Sequence, residues 1–146
     1  APFADMLTWA ARVHEIGLDI SHSQYHKHGA YILHHSDLAG FARDEQMVLA
    51  TLVRAHRRKF PKSAFRELPE AWQEPATRLA VLLRLAIVLH RSRSAEPVPA
   101  MGVSIRKGAL RLEFPAGWLA DRPLLEADLQ EEAGFLETAG FSLVLT

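Results

Sequence analysis

The chain has 146 residues, 49% of them apolar, with 17 basic and 17 acidic side chains and no cysteine. That is enough for one ordinary domain or two small ones with a proper core; it excludes disulfides and thiolate metal sites, and a cytoplasmic location is expected. The balanced charge, without aromatic residues interleaved among the basic ones, argues against nucleic acid as a partner. The longest apolar run, LAVLLRLAIVLH, is interrupted by Arg84 and too short to span a bilayer. The start shows no basic leader and enters helical periodicity at once without Met, as expected of a piece of a longer protein.

In chain order, Met6, Trp9, Ala10 and Val13 set an apolar stripe that predicts a helix over 5–16, with Asp5 as its cap and Gly17 as its stop. Ser23 is expected to cap a second helix over 24–35, and a third is expected over 43–57, beginning near Asp44. Three prolines in PKSAFRELPEAWQEP predict a loop with one short helical turn. A fourth helix over 76–93 is apolar nearly all round and is expected to run through the core. SAEPVPAMG reads as a linker.

The period then changes. GVSIRKGALRLEF alternates about a Lys-Gly pair and predicts a β-hairpin. A turn, an acidic amphipathic helix ending at Gly140 and a last strand, FSLVLT, follow. The expected fold is mostly α with a small α/β part: a helical domain over 1–95 and a small ββαβ domain over 96–146. Residues 1–95 carry 13 Lys+Arg against 9 Asp+Glu, and residues 96–146 carry 4 against 8. A positive front part suits an anionic partner, an acidic neighbouring domain, or simply the chain's own acidic end.

Six of the eight histidines fall within residues 13–35. Zn²⁺ takes three or four ligands, but no His-Glu-x-x-His is present and no carboxylate accompanies the cluster on its helix. A structural or phosphate-facing role is the expectation, with Lys27, His26 and His28 turned towards an anion. The third helix ends in LVRAHRRK, which places Arg54, Arg57 and Arg58 at i, i+3 and i+4, with His56 and Lys59 beside them. Cations at a helix C-terminus are favourable in themselves. The same residues would also cradle phosphates, since guanidinium forks pair with phosphate oxygens.

HEIG, residues 14–17, resembles the HDIG centre of HD-domain phosphohydrolases, where adjacent His and Asp bind one metal. Here Glu15 replaces the Asp, and the position matching the family's last ligand is Ile87, which has no donor atom. The resemblance implies an HD-like helical domain whose His14–Glu15 pair is degenerate and holds no metal.

The stretch HEIGLDISHSQYHKHGAYILHHSDLAGFARDEQMVLATLVRAHRRK, then LLRLAIVL and LRLEFPAGWL, is similar to the C-terminal half of exopolyphosphatases and guanosine pentaphosphate phosphohydrolases (the Ppx/GppA family) over nearly the whole chain. In that family an N-terminal pair of actin-like domains carries the catalytic and Mg²⁺-binding residues. The resemblance implies a non-catalytic region without a cofactor of its own. It would bind inorganic polyphosphate through Lys27, His26, His28, Arg54, His56, Arg57, Arg58 and Lys59, dock on the actin-like domains and take part in a homodimer. A pure dimerisation and docking module, the corresponding part of a guanosine pentaphosphate phosphatase, and a working HD phosphohydrolase are the alternatives, the last opposed by Ile87.

Overall fold

A computed structural model describes residues 2–91 and 99–146. The chain is mostly α with a small α/β part and divides into two compact units, Ala1–Arg84 and Leu85–Thr146. The boundary expected between 95 and 96, most of the predicted linker and the predicted end of the fourth helix at 93 lie outside the described residues.

In the first unit, α1 spans Pro2–Val13. It begins earlier than its apolar stripe suggests because proline is pre-shaped for a helix start, so Asp5 lies in the first turn, not at the cap. Gly17 does not end α1; it lies within a separate 3-10 turn, Ile16–Asp19. A Cβ on Gly17 would sit 1.9 Å from the Tyr25 carbonyl oxygen, so only glycine lets this turn meet the next helix.

That helix, α2, spans Tyr25–His35. Ser23 does not cap it: Gln24 holds that place in the left-handed region (φ 54°), and the Ser23 N–H donates to the Ser21 hydroxyl instead. The third helix, α3, spans Arg43–Ala55, and its Glu45 carboxylate accepts the Ala42 N–H at 2.9 Å, half of a capping box.

α2 and α3 form an antiparallel hairpin. At one end Tyr25 lies against His56, in the middle Gly29 admits Val53, and at the other end the Gln46 amide donates to the carbonyls of Leu33 and Ser36 at 2.7 and 2.6 Å. The Gln46 bonds satisfy carbonyls that the last turn of α2 leaves open. Met6 and Ala10 of α1 and Val48, Leu52 and Val53 of α3 are buried in this unit.

A short helix, α4, spans Lys62–Arg66, and α5 spans Glu70–His90. α5 starts six residues ahead of the predicted position and runs through Pro75. The bond that Pro75 forgoes would have gone to Ala71, an exposed residue, so its loss is cheap.

In the second unit, β1 (Gly102–Arg106) and β2 (Ala109–Glu113) form the predicted hairpin. Lys107 and Gly108 both have positive φ (50° and 79°), the turn whose twist suits a two-residue hairpin. α6 spans Pro123–Thr138, and β3, Ser142–Leu145, lies parallel to β2, giving the order β1-β2-β3. α6 ends with Gly140 at φ 89°; the Phe141 N–H reaches the Leu136 carbonyl and the Gly140 N–H that of Glu137. Leu110 and Leu112 of β2 and Leu129 and Leu136 of α6 are the buried centre of this unit.

Candidate functional site

The basic run LVRAHRRK forms the end of α3 and the turn beyond it. His56 caps the helix, and Arg58 turns the chain with φ 65°, in the left-handed region. Arg54, Arg58 and Lys59 are exposed. The turn is braced from inside by Arg84 of α5, which is 1% exposed. Its guanidinium donates to the carbonyls of Ala55 and Arg58, the latter at 2.6 Å, so one fork ties the last turn of α3 to the residue that reverses the chain.

Arg57 points inward, unlike Arg54, Arg58 and Lys59. Its guanidinium lies 4.4 Å over the Tyr25 ring. The His56 ring packs against Tyr25 (5.3 Å), His14 (5.1 Å) and His26 (6.4 Å). His56 Nδ1 donates to the Val53 carbonyl, which leaves Nε2 as a bare acceptor. His56 Nε2, His26 Nδ1 and Arg57 Nη1 are buried and have no hydrogen-bond partner among the described residues.

Burial, opposed only by the Val53 hydrogen bond, pushes the His56 pKa down to about 3, with His14 and His26 adding to the effect. Burial and then the Arg57 charge push His26 down to about 4. Both imidazoles are neutral at pH 7. The expected phosphate-binding set therefore separates. Lys27, Arg54, Arg58 and Lys59 are solvent-facing cations; His28 is half-buried on α2; His26, His56 and Arg57 form an interior polar cluster.

His14 Nε2 lies 3.5 Å from Glu15, and His14 Nδ1 lies 2.6 Å from the Ala11 carbonyl. Among the described residues no three His, Asp or Glu side chains are grouped as a metal ion would need.

A groove of about 440 Å³ opens beside the basic turn. Its walls are two helical stripes, Lys27, Ala30, Tyr31 and His34 from α2 and Met47, Ala50, Thr51 and Arg54 from α3, each at i, i+3, i+4 and i+7. Ala64 of α4, Glu67 and Leu68 just beyond it, and His35 at the end of α2 also line it. Tyr31 is 64% exposed, with its ring centre 4.3 Å from that of His35.

Tyr25, Arg84 and this groove were not among the sequence-derived candidates. The lone arginine in LAVLLRLAIVLH was the available signal for the first internal brace, because an uncompensated guanidinium does not stay in an apolar helix. Tyr31 gave no signal, since its spacing also suits a packed face.

Among the described residues no helix is long and apolar enough to cross a membrane. The model of one protein family, described as Ppx/GppA phosphatase, domain III, matches residues 2–133. Three curated relatives are each called guanosine-5'-triphosphate,3'-diphosphate pyrophosphatase. That of Pseudoalteromonas translucida is 34% identical over 140 residues, covering 96% of this chain and 28% of the relative. That of Pseudoalteromonas atlantica is 35% identical, over 87% and 25%. That of Photobacterium profundum is 35% identical, over 91% and 26%. The chain thus spans about a quarter of the length of these relatives.

Proposed function

We propose a holding role from one plain premise: the chain belongs to the Ppx/GppA phosphatase family, as its domain III. It grips a chain of linked phosphates at the end of α3 while bonds are cut in another part of a longer phosphatase. The observation that carries this reading is the braced basic turn: Arg54, Arg58 and Lys59 face solvent on a segment whose backbone Arg84 holds from within. Pre-set cations lose little freedom on meeting a polyanion, so their attraction goes into binding. His26 and His56, neutral and buried, shape the floor beneath the turn and contribute no charge.

Inorganic polyphosphate and the phosphate arms of guanosine pentaphosphate share the feature the turn recognises, a row of phosphoryl oxygens. The named relatives favour the guanosine compound as the intact protein's substrate. Hydrolysis there would be metal-assisted attack of water on a phosphoryl group, with Mg²⁺ held outside this chain.

The test is calorimetric titration of the 146-residue chain with long-chain polyphosphate at low salt, beside Arg58→Asn, which keeps a residue tolerant of positive φ. Binding by the chain and its weakening in the variant are expected, with no orthophosphate released. Equal binding by both proteins would remove the holding role, and divalent-dependent phosphate release by the chain alone would overturn the division of labour.

A docking role is favoured by a separate feature. β1 is exposed along its whole length, with Val103 and Ile105 at 52% and 43%, and edge strands of this kind accept a further strand. A tight dimer by sedimentation that Val103→Lys dissolves supports this second reading; a monomer at all concentrations removes self-association.

A further inference from the structure

We infer that the outer edge of β1 pairs antiparallel with β1 of a second copy of this chain, centred on Ser104, and that an ion pair between Glu113 of one copy and Arg106 of the other fixes the register. The inference rests on the docking role proposed above and deepens it by naming the partner and the residues that select it.

The bonds of β2 settle which way β1 faces. The Ser142 N–H donates to the Gly108 carbonyl, the Thr146 N–H to that of Leu112, and the Phe114 N–H to that of Thr146, so the even-numbered residues of β2 face β3. Bonded and unbonded pairs alternate in an antiparallel ladder, which leaves Ala109, Arg111 and Glu113 to bond their β1 partners Arg106, Ser104 and Gly102. The N–H and C=O of Val103 and Ile105 therefore point away from β2, along an edge that no other strand covers among the described residues. Their side chains stand opposite the buried Leu112 and Leu110, on the same face, yet are 52% and 43% exposed. Open backbone and open apolar surface coincide at the same residues.

A second β1 centred on Ser104 sets Val103 of each copy against Ile105 of the other. Both residues then bond through their open backbone groups, and their side chains pack as a cross-strand pair. A slip of two residues either way sets Val103 against Lys107 or Ile105 against Met101. The centred register also brings the partner's Arg106 opposite Gly102, one strand spacing away, about 4.8 Å. Gly102 has no side chain to stand between them, and a Glu113 carboxylate oxygen lies 3.3 Å from where its Cβ would be. The carboxylate thus leans over the glycine, within reach of an arginine arriving at the edge. Parallel pairing would instead set the Arg106–Lys107 ends of the two copies side by side, like charge against like.

Sedimentation equilibrium of the 146-residue chain reads this pairing. A dimer is expected. Arg106→Glu or Glu113→Arg alone should weaken it on the order of tenfold, since each turns both symmetric attractions into repulsions. The two variants mixed in equal amounts should recover the dimer, because each then meets the opposite charge on the other. Arg106 and Glu113 are exposed, so neither change threatens the fold. A dimer that Val103→Lys dissolves but charge reversal does not touch, or a mixture that associates no better than the separate variants, overturns the ion pair and its register and leaves the docking role standing. A monomer at all concentrations overturns both.

Discussion

A single buried guanidinium sets the shape of the basic turn. Arg84 supplies two carbonyls, Ala55 and Arg58, with charge-assisted donors at the point where α3 ends and the chain reverses. Arg84→Met keeps most of the apolar stem but withdraws both donors. Leaving a buried carbonyl such as that of Ala55 unsatisfied costs about 1–3 kcal/mol and the part-buried Arg58 carbonyl adds less, so a fall in stability of roughly 1–4 kcal/mol is expected in urea unfolding. Polyphosphate affinity should fall as well, because Arg58 and Lys59 lose their fixed placement. The neighbouring imidazoles make a separate prediction. His26 and His56 are held neutral, at about 4 and about 3 against an ordinary 6.5. Below pH 6.5 the unfolded chain takes up protons that the folded chain refuses, so stability falls as pH drops from about 6.5 towards 4. Between pH 7 and 5 each imidazole accounts for a loss on the order of 1–2 kcal/mol. Thermal midpoints across that range should decline steadily, and less steeply in His56→Gln; a flat profile would place both rings in contact with water.

At the scale of elements, two glycines show how much one Cβ decides. Gly17 brings the 3-10 turn onto α2, and an alanine there would meet backbone atoms of Tyr25 and Gly29 at 1.9–2.8 Å. Backbone cannot yield as a side-chain tip does, so Gly17→Ala should cost on the order of 3 kcal/mol, read as a lowered thermal midpoint. Gly134, inside α6, has open space where its Cβ would go, and Gly134→Ala should stabilise by about 0.5–1 kcal/mol. The same contrast explains what the sequence made legible. Strand alternation, the Lys107-Gly108 turn and the Gly140 stop are local signals, and each stands where the pattern placed it. Helix starts were less legible. Asp5 and Ser23 are good caps by residue type, but Asp5 lies in the first turn of a helix that begins at Pro2, and Gln24 holds the N-cap of α2. Two prolines hid the first turns of α5, since Pro75 is tolerated only because its forgone partner is exposed. At the site, the basic run was readable from spacing. The inward turn of Arg57 was not, because i, i+3 and i+4 describe a face without saying which side of it is covered.

At the scale of the whole molecule, the chain is neutral in sum but not in distribution, and salt is the probe that reads the difference. A phosphate chain meeting Arg54, Arg58 and Lys59 releases the counterions it had condensed. By analogy with single nucleic-acid strands, the logarithm of the binding constant falls against that of salt by about 0.7 per phosphate contact. Three contacts give a slope of about −2, a loss of roughly twentyfold between 50 and 200 mM salt. Arg58→Asn combined with Lys59→Ser should bring the slope to about −0.7. His26→Gln and His56→Gln should leave it unchanged, because neither ring carries a proton at pH 7. Affinity alone would not separate these cases, since a loosened floor also weakens binding. The slope counts only charges that meet the ligand. A slope that Arg58 and Lys59 do not alter would mean that the anion sits elsewhere, whatever the affinities; one that falls with the histidine variants would mean that the interior cluster opens and takes up protons when phosphate arrives.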